Sequence, residues 1–168
     1  MKLRSSVKAI AAFAFLTAAL SAVAANARTA DQSGEATILL SSYANACDQI
    51  GYRVGSLPEI MTAFDATLKR LMATGLSREE SYEFAQQVLA DDGEALEREV
   101  KSALEAMDPE SRDDLWPSAF ADLIDKRCAS LASYPDLSPL IQLEPEERRA
   151  AARQAFESAI GSTPRPVF

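Results

Sequence analysis

The sequence predicts an all-α protein, a compact orthogonal or up-down bundle of five to six amphipathic helices preceded by a cleavable signal peptide. Three observations carry this expectation. Apolar residues recur at three- and four-residue steps through most of residues 35–160. Serine-led capping signals and glycine stops divide that region into helix-sized pieces. No stretch alternates β-branched and polar residues long enough to read as an extended strand.

The first helix is expected from Glu35 to Arg53, with Leu39, Leu40, Tyr43, Cys47, Ile50 and Val54 as its apolar stripe and Gly55 as its stop. Ser56-Leu57-Pro58-Glu59 then combines a capping serine, a first-turn proline and a glutamate three residues on, which opens a second helix. That helix is expected to reach Thr74, burying Leu57, Ile60, Met61, Phe64, Leu68 and Leu71, with Gly75 as its left-handed C-terminal stop. Ser77-Arg78-Glu79-Glu80 repeats the capping logic and puts acidic side chains where the helix dipole favours them.

The third helix starts near Arg78 and is expected to stay whole to Met107. Ala85, Val88, Leu89, Leu96, Val100, Leu104 and Met107 keep one phase across Asp91-Asp92-Gly93. A break there is the alternative, because a glycine inside a helix costs about 1 kcal/mol relative to alanine. Asp108-Pro109 opens a short helix through Leu115, and Trp116-Pro117 interrupts the chain because proline lacks an amide donor. A fifth helix, Pro117 to about Ser133, carries Phe120, Leu123, Ile124, Cys128 and Leu131 on one side. Pro135 to Leu143 reads as an ordered strap over the bundle, and the last helix runs from Pro145 to Ile160.

The amino terminus has the three parts of an export signal. Lys2, Arg4 and Lys8 are followed by the uncharged run Ala9 to Leu20 and by Ala22-Val23-Ala24 and Ala25-Asn26-Ala27 as A-x-A sites. Cleavage is expected after Ala27, or after Ala24. An uncleaved anchor is the alternative, since Ala9 to Ala25 approaches the roughly 20 residues that span a bilayer. No cysteine lies near these sites and no arginine pair precedes the apolar run, which leaves the general export route of a bacterium to the periplasm or outside. The expected domain organisation is a signal peptide over 1–27, a flexible linker over 28–34, one helical domain over 35–161 and a flexible tail over 162–168.

Of the 17 basic residues three lie in the leader, and of the 25 acidic ones none does, so the mature chain would balance at 14 against 25, a net charge of −11. That charge disfavours nucleic acid, whose phosphates ask for a basic footprint, and an anionic membrane surface as well. A membrane span is not expected once the leader is removed. Cys47 and Cys128 both fall on apolar stripes, and an oxidising compartment favours a disulfide between them, joining the first helix to the fifth. A redox-active dithiol would ask for close sequence spacing, and the chain has no C-x-x-C.

No catalytic residue is assigned. The chain contains no histidine, which removes the commonest neutral-pH base and zinc ligand. A carboxylate pair could do acid–base work, but only at a separation in space that sequence does not give. Asp91-Asp92-Gly93-Glu94 and Asp113-Asp114 gather oxygen ligands of the kind calcium accepts, without the spacing of an EF-hand loop, and helix capping accounts for both. No metal or cofactor is expected. Gly51-Tyr52-Arg53-Val54-Gly55 lacks the preceding strand and lysine-serine pair of a phosphate loop; Cys47, Gly51 and Gly55 read instead as a row of small residues for close helix approach, or as a helix end. Trp116, Tyr82, Phe84, Phe120 and Tyr134 are expected in the core rather than along a ligand groove, with Phe84 at a rim or under the last helix.

The segment C-x-x-x-G-Y-x-x-G, Cys47 to Gly55, resembles small helical immunity proteins of secreted effectors over those nine residues, and no site residue follows from it. The function expected is that of a secreted, acidic, non-catalytic protein that binds a protein partner or supports the cell envelope. The alternative is a small-molecule carrier or carboxylate-dependent enzyme with a cavity between helices.

Overall fold

The computed structural model describes residues 32–162, and the compact unit that begins at Glu35 holds the architecture. The leader over 1–27, the linker up to residue 31 and the tail from Thr163 lie outside the described residues. Among the described residues five α-helices form the frame: α1 over 32–50, α2 Leu57–Ala73, α3 Arg78–Ala106, α4 Arg112–Ala132 and α5 Glu146–Gly161. Two short strands, β1 Tyr52–Val54 and β2 Ile141–Leu143, and a 3-10 turn at Pro135–Leu137 complete it. Among the described residues no helix is long and apolar enough to cross a membrane.

The first helix lies between two packed clusters. Ala36, Leu40, Tyr43, Cys47 and Ile50 face a core built with Ala121, Ile124, Cys128 and Leu131 of α4, Phe156 of α5, and Tyr52, Leu137 and Ile141. Ile38, on another side of the same helix, packs with Leu68 and Ala85 and with the half-buried Phe64, Leu71, Phe84, Val88 and Leu89. Burying a side chain such as Ile38 fully stabilises the fold by about 1.5–3 kcal/mol, so α1 is held from both sides. The single stripe expected for this helix does not include Ile38. Phe84, expected at a rim or under the last helix, takes a rim position, half-buried against this cluster of α1, α2 and α3 residues.

The second and third helices start where their capping signals predict. The backbone N–H and the hydroxyl of Ser56 both donate to Glu59 Oε2 at 2.7 Å. At Ser77 the N–H donates to Glu80 Oε2 at 2.7 Å, and the Glu80 N–H donates back to Ser77 Oγ at 3.1 Å. These bonds stabilise the ionised carboxylates and hold both glutamates below the ordinary range. Helix α3 runs unbroken through Gly93, because Ala85 anchors one end in the Ile38 cluster while Val100 is buried at the other.

Three expectations need correction. The first helix does not reach Arg53: it ends at residue 50, Gly51 turns at φ +101°, and Tyr52–Val54 becomes a strand, so Cys47, Gly51 and Gly55 do not share one helix face. The strap pairs with that strand, antiparallel, in the register Tyr52↔Leu143, Arg53↔Gln142 and Val54↔Ile141. A two-stranded patch only three residues long leaves no alternation for a sequence pattern to show. Finally, Trp116-Pro117 does not divide the chain. Helix α4 passes through Pro117, which forfeits a single backbone bond near the amino-terminal end. Trp116 is buried there against Phe120, with ring centroids 5.1 Å apart, and packing outweighs the local signal.

Candidate functional site

Cys47 of α1 and Cys128 of α4 are both fully buried, with sulfurs 2.06 Å apart and Cα atoms 5.6 Å apart, which is disulfide distance. The helix expected as the fifth is thus the fourth, since Trp116-Pro117 is not a break. One turn from Cys47, the Tyr43 hydroxyl donates to Asp92 Oδ2 of α3 at 2.5 Å. Arg127, beside Cys128, meets Glu99 Oε2 at 3.1 Å and Asp92 Oδ1 at 3.5 Å. Three helices are therefore tied by polar groups around the sulfur pair.

A second arrangement of the same residue types sits at the end of α1. The Tyr52 hydroxyl donates to Asp125 Oδ1 of α4 at 2.9 Å, and Arg149 Nη2 of α5 lies 3.5 Å from the same oxygen. The Arg149 guanidinium carbon stands 5.9 Å from the Tyr52 ring centroid. A Cβ placed on Gly51 would lie 2.7 Å from Arg149 Cα, so the absence of a side chain lets α5 close over this turn. Further along α5, Arg153 meets Asp122 at 2.6 Å and Glu157 at 2.8 Å.

Both tyrosines are poor nucleophiles. Burial first, and then the bond and charge of Asp92, push the Tyr43 hydroxyl well above its ordinary value of 10.0. The same causes, with Asp125 as partner, push Tyr52 up to about 12. Each carboxylate is in turn shared between a phenol and a guanidinium, Asp92 between Tyr43 and Arg127 and Asp125 between Tyr52 and Arg149. Chemically these are braces between helices. Among the described residues no group of three or more histidine, cysteine, aspartate or glutamate side chains could hold a metal ion. In the Asp91–Glu94 cluster Asp92 serves the brace, Asp91 accepts from Gln87 at 2.6 Å, and Glu94 pairs with Arg98 at 3.6 Å.

The surface carries open hollows. One of about 430 Å³ lies between Ser41, Ser42, Ala44, Asn45 and Asp48 of α1 and Val54, Gly55, Leu57 and Ile60. Another, of about 210 Å³, is lined by Ile50, Asp125, Glu146, Arg149, Ala150 and Arg153, and its arginines are already paired. Leu57 and Met61, expected in the buried stripe of α2, are 67% and 43% exposed, because the face of α2 that turns inward runs through Ile60, Phe64, Thr67, Leu68 and Leu71 and leaves them to one side. Leu115, Leu143 and Tyr82 are exposed as well. Of the aromatic residues expected in the core, Trp116 is buried, Phe84, Phe120 and Tyr134 are half-buried, and Tyr82 lies under Arg78 at the surface.

No protein-family model matches the chain, and comparisons with curated proteins and with solved structures found no match. The sulfur pair is legible from the sequence. Neither the Tyr43–Asp92–Arg127 brace nor the Tyr52–Asp125–Arg149 brace is: a tyrosine on an apolar stripe announces that its hydroxyl needs a partner, not which one.

Proposed function

We propose that this protein is exported and acts outside the cytoplasm, in the periplasm or beyond the cell, as a non-catalytic protein that binds a protein partner. The observation that carries this reading is Leu57, a large apolar side chain left exposed at the start of α2 where it lines the α1–α2 hollow, with Met61 exposed one turn further along the helix. A large apolar side chain held open at the mouth of a hollow gives a partner a place to bury an apolar group of its own. The export leader and the buried cysteine pair support the compartment, because paired thiols persist where the surroundings are oxidising. The tyrosine–carboxylate–arginine braces support the non-catalytic part, since they engage their polar groups with one another.

The test is crosslinking in intact cells of the natural host, followed by recovery of the protein from the envelope fraction and identification of what is bound to it. A single protein recovered in near-equal amount, together with an amino terminus starting at Arg28 or Ala25, is the expected result. Recovery from the cytosol with Met1 retained would overturn the compartment. A small molecule retained in native mass spectrometry, with no protein partner, would overturn the binding class in favour of a carrier.

A further inference from the structure

We propose that the hollow between α1 and the start of α2 is the docking site for a cationic segment of a partner protein, which seats an apolar side chain beside Leu57. This rests on the partner-binding reading above and gives it a place and a chemistry. The apolar part comes from the mismatch between pattern and fold. Leu57 falls in the expected buried stripe yet stays exposed at the hollow, while Val54, Ala44 and the buried Ile60 give the hollow apolar walls. At about 430 Å³ it has the size of a cleft that holds a bulky group rather than a single water.

Charge decides which partner fits. Asp48 lines the hollow, and no lysine or arginine does. Glu59, on the first turn of α2, is kept ionised by the hydroxyl and N–H of Ser56. The nearest cation along β1, Arg53, is engaged with Gln142 on the neighbouring strand. The chain as a whole carries −8. A segment with lysine or arginine flanking an apolar residue is complementary to this surface, and long-range attraction would speed its arrival. An acidic segment would be repelled.

The backbone adds a direction. In the antiparallel ladder Arg53 opposes Gln142, and the Gly55 N–H donates to the Leu140 carbonyl at 2.8 Å. Alternation then turns the N–H and C=O of Val54, a residue that lines the hollow, away from β2. An extended partner segment can pair with them while its side chain enters beside Leu57.

The experiment places a photo-crosslinking residue at Leu57, and in separate variants at Leu115 and Leu143, in the full chain expressed in its host, and maps each adduct by mass spectrometry. These positions are exposed, so the fold is retained, and an unchanged melting temperature verifies it. Support is an adduct from Leu57 to a lysine- or arginine-rich segment of another protein. A synthetic peptide of that segment must then bind about tenfold more weakly to Leu57→Asp and to Asp48→Lys, the loss typical of a residue central to a contact. Adducts only from Leu115 or Leu143 would overturn the docking site and leave the partner-binding function standing. An adduct from Leu57 to an acidic segment, to a second copy of the chain or to the chain's own residues 1–31 or 163–168 would also overturn it. No protein adduct from any of the three positions would overturn both.

Discussion

Replacing Cys47 by alanine, Cys128 by alanine, or both together is expected to cost nearly the same stability in all three cases. A cross-link between residues 81 apart restricts the unfolded chain far more than the folded one. For a loop of that length the chain-entropy treatment gives about 4.5 kcal/mol at 25 °C. The unfolding entropy of a unit of about 130 residues, near 2.1 cal/mol/K per residue, converts this to a fall in melting temperature of roughly 16 °C. Losing either sulfur opens the loop, so the second substitution adds only the packing of one small buried atom, on the order of 1 kcal/mol. The assay is thermal unfolding of the three variants under non-reducing conditions, with thiols counted after denaturation. If the single costs were each near 1 kcal/mol and added in the double variant, the cysteines would be buried thiols acting as small hydrophobes, and the cross-link reasoning would be refuted. Two alkylatable thiols in the unfolded parent protein would refute it more directly.

The braces and the tight turn give three further expectations. Tyr43→Phe and Asp92→Ala should each lower stability by about 2 kcal/mol, the worth of a hydrogen bond to a charged group, and together by clearly less than the sum; strict additivity in denaturant titrations would mean that the contact is not made. Gly51→Ala should cost about 3 kcal/mol or more, because it forces a side chain to φ +101° and toward the backbone of Arg149, whereas Gly75→Ala, at φ +105° with nothing within 4 Å, should cost only about 1 kcal/mol. Equal melting temperatures for the two variants would remove the close approach of α5. The raised Tyr52 hydroxyl favours the folded state fully below pH 10, its unfolded value, and that contribution is lost as pH rises from 10 through about 12. The alkaline decline of the parent should therefore exceed that of Tyr52→Phe by about 2 kcal/mol, measured by urea unfolding at pH 9 and pH 12; parallel declines would sink this assignment.

Local chemistry is readable in the sequence wherever it acts over three or four residues. Ser56 with Glu59 and Ser77 with Glu80 announce two helix starts, and the phase of Ala85 through Met107 across Gly93 announces one long helix. The same short range explains the failures. Pro117 breaks helices in isolation, but Trp116 buried against Phe120 supplies packing that a local rule does not see. Gly55 looks like the stop of the first helix, while Gly51 is the residue that α5 requires to be bare. The braces are invisible because Tyr43 and Asp92 stand 49 positions apart, and Tyr52 and Asp125 stand 73 apart. The α1–α2 hollow is invisible for the opposite reason: Leu57 has the spacing of a core residue, and only the position of its neighbours leaves it open.

Periodicity, capping and composition, all properties of the amino-acid order alone, determined a helical chain, an acidic surface, an expected export leader, and two cysteines on faces that turn inward. Which faces meet was decided by the tertiary structure. It set α1 between two cores, paired Tyr52–Val54 with Ile141–Leu143, shared Asp92 and Asp125 between tyrosine and arginine, and left Leu57 exposed. The physical reason is range. Backbone preference and helix capping act within a turn, whereas burial and ion pairing depend on groups far apart along the chain, whose meeting no local pattern records.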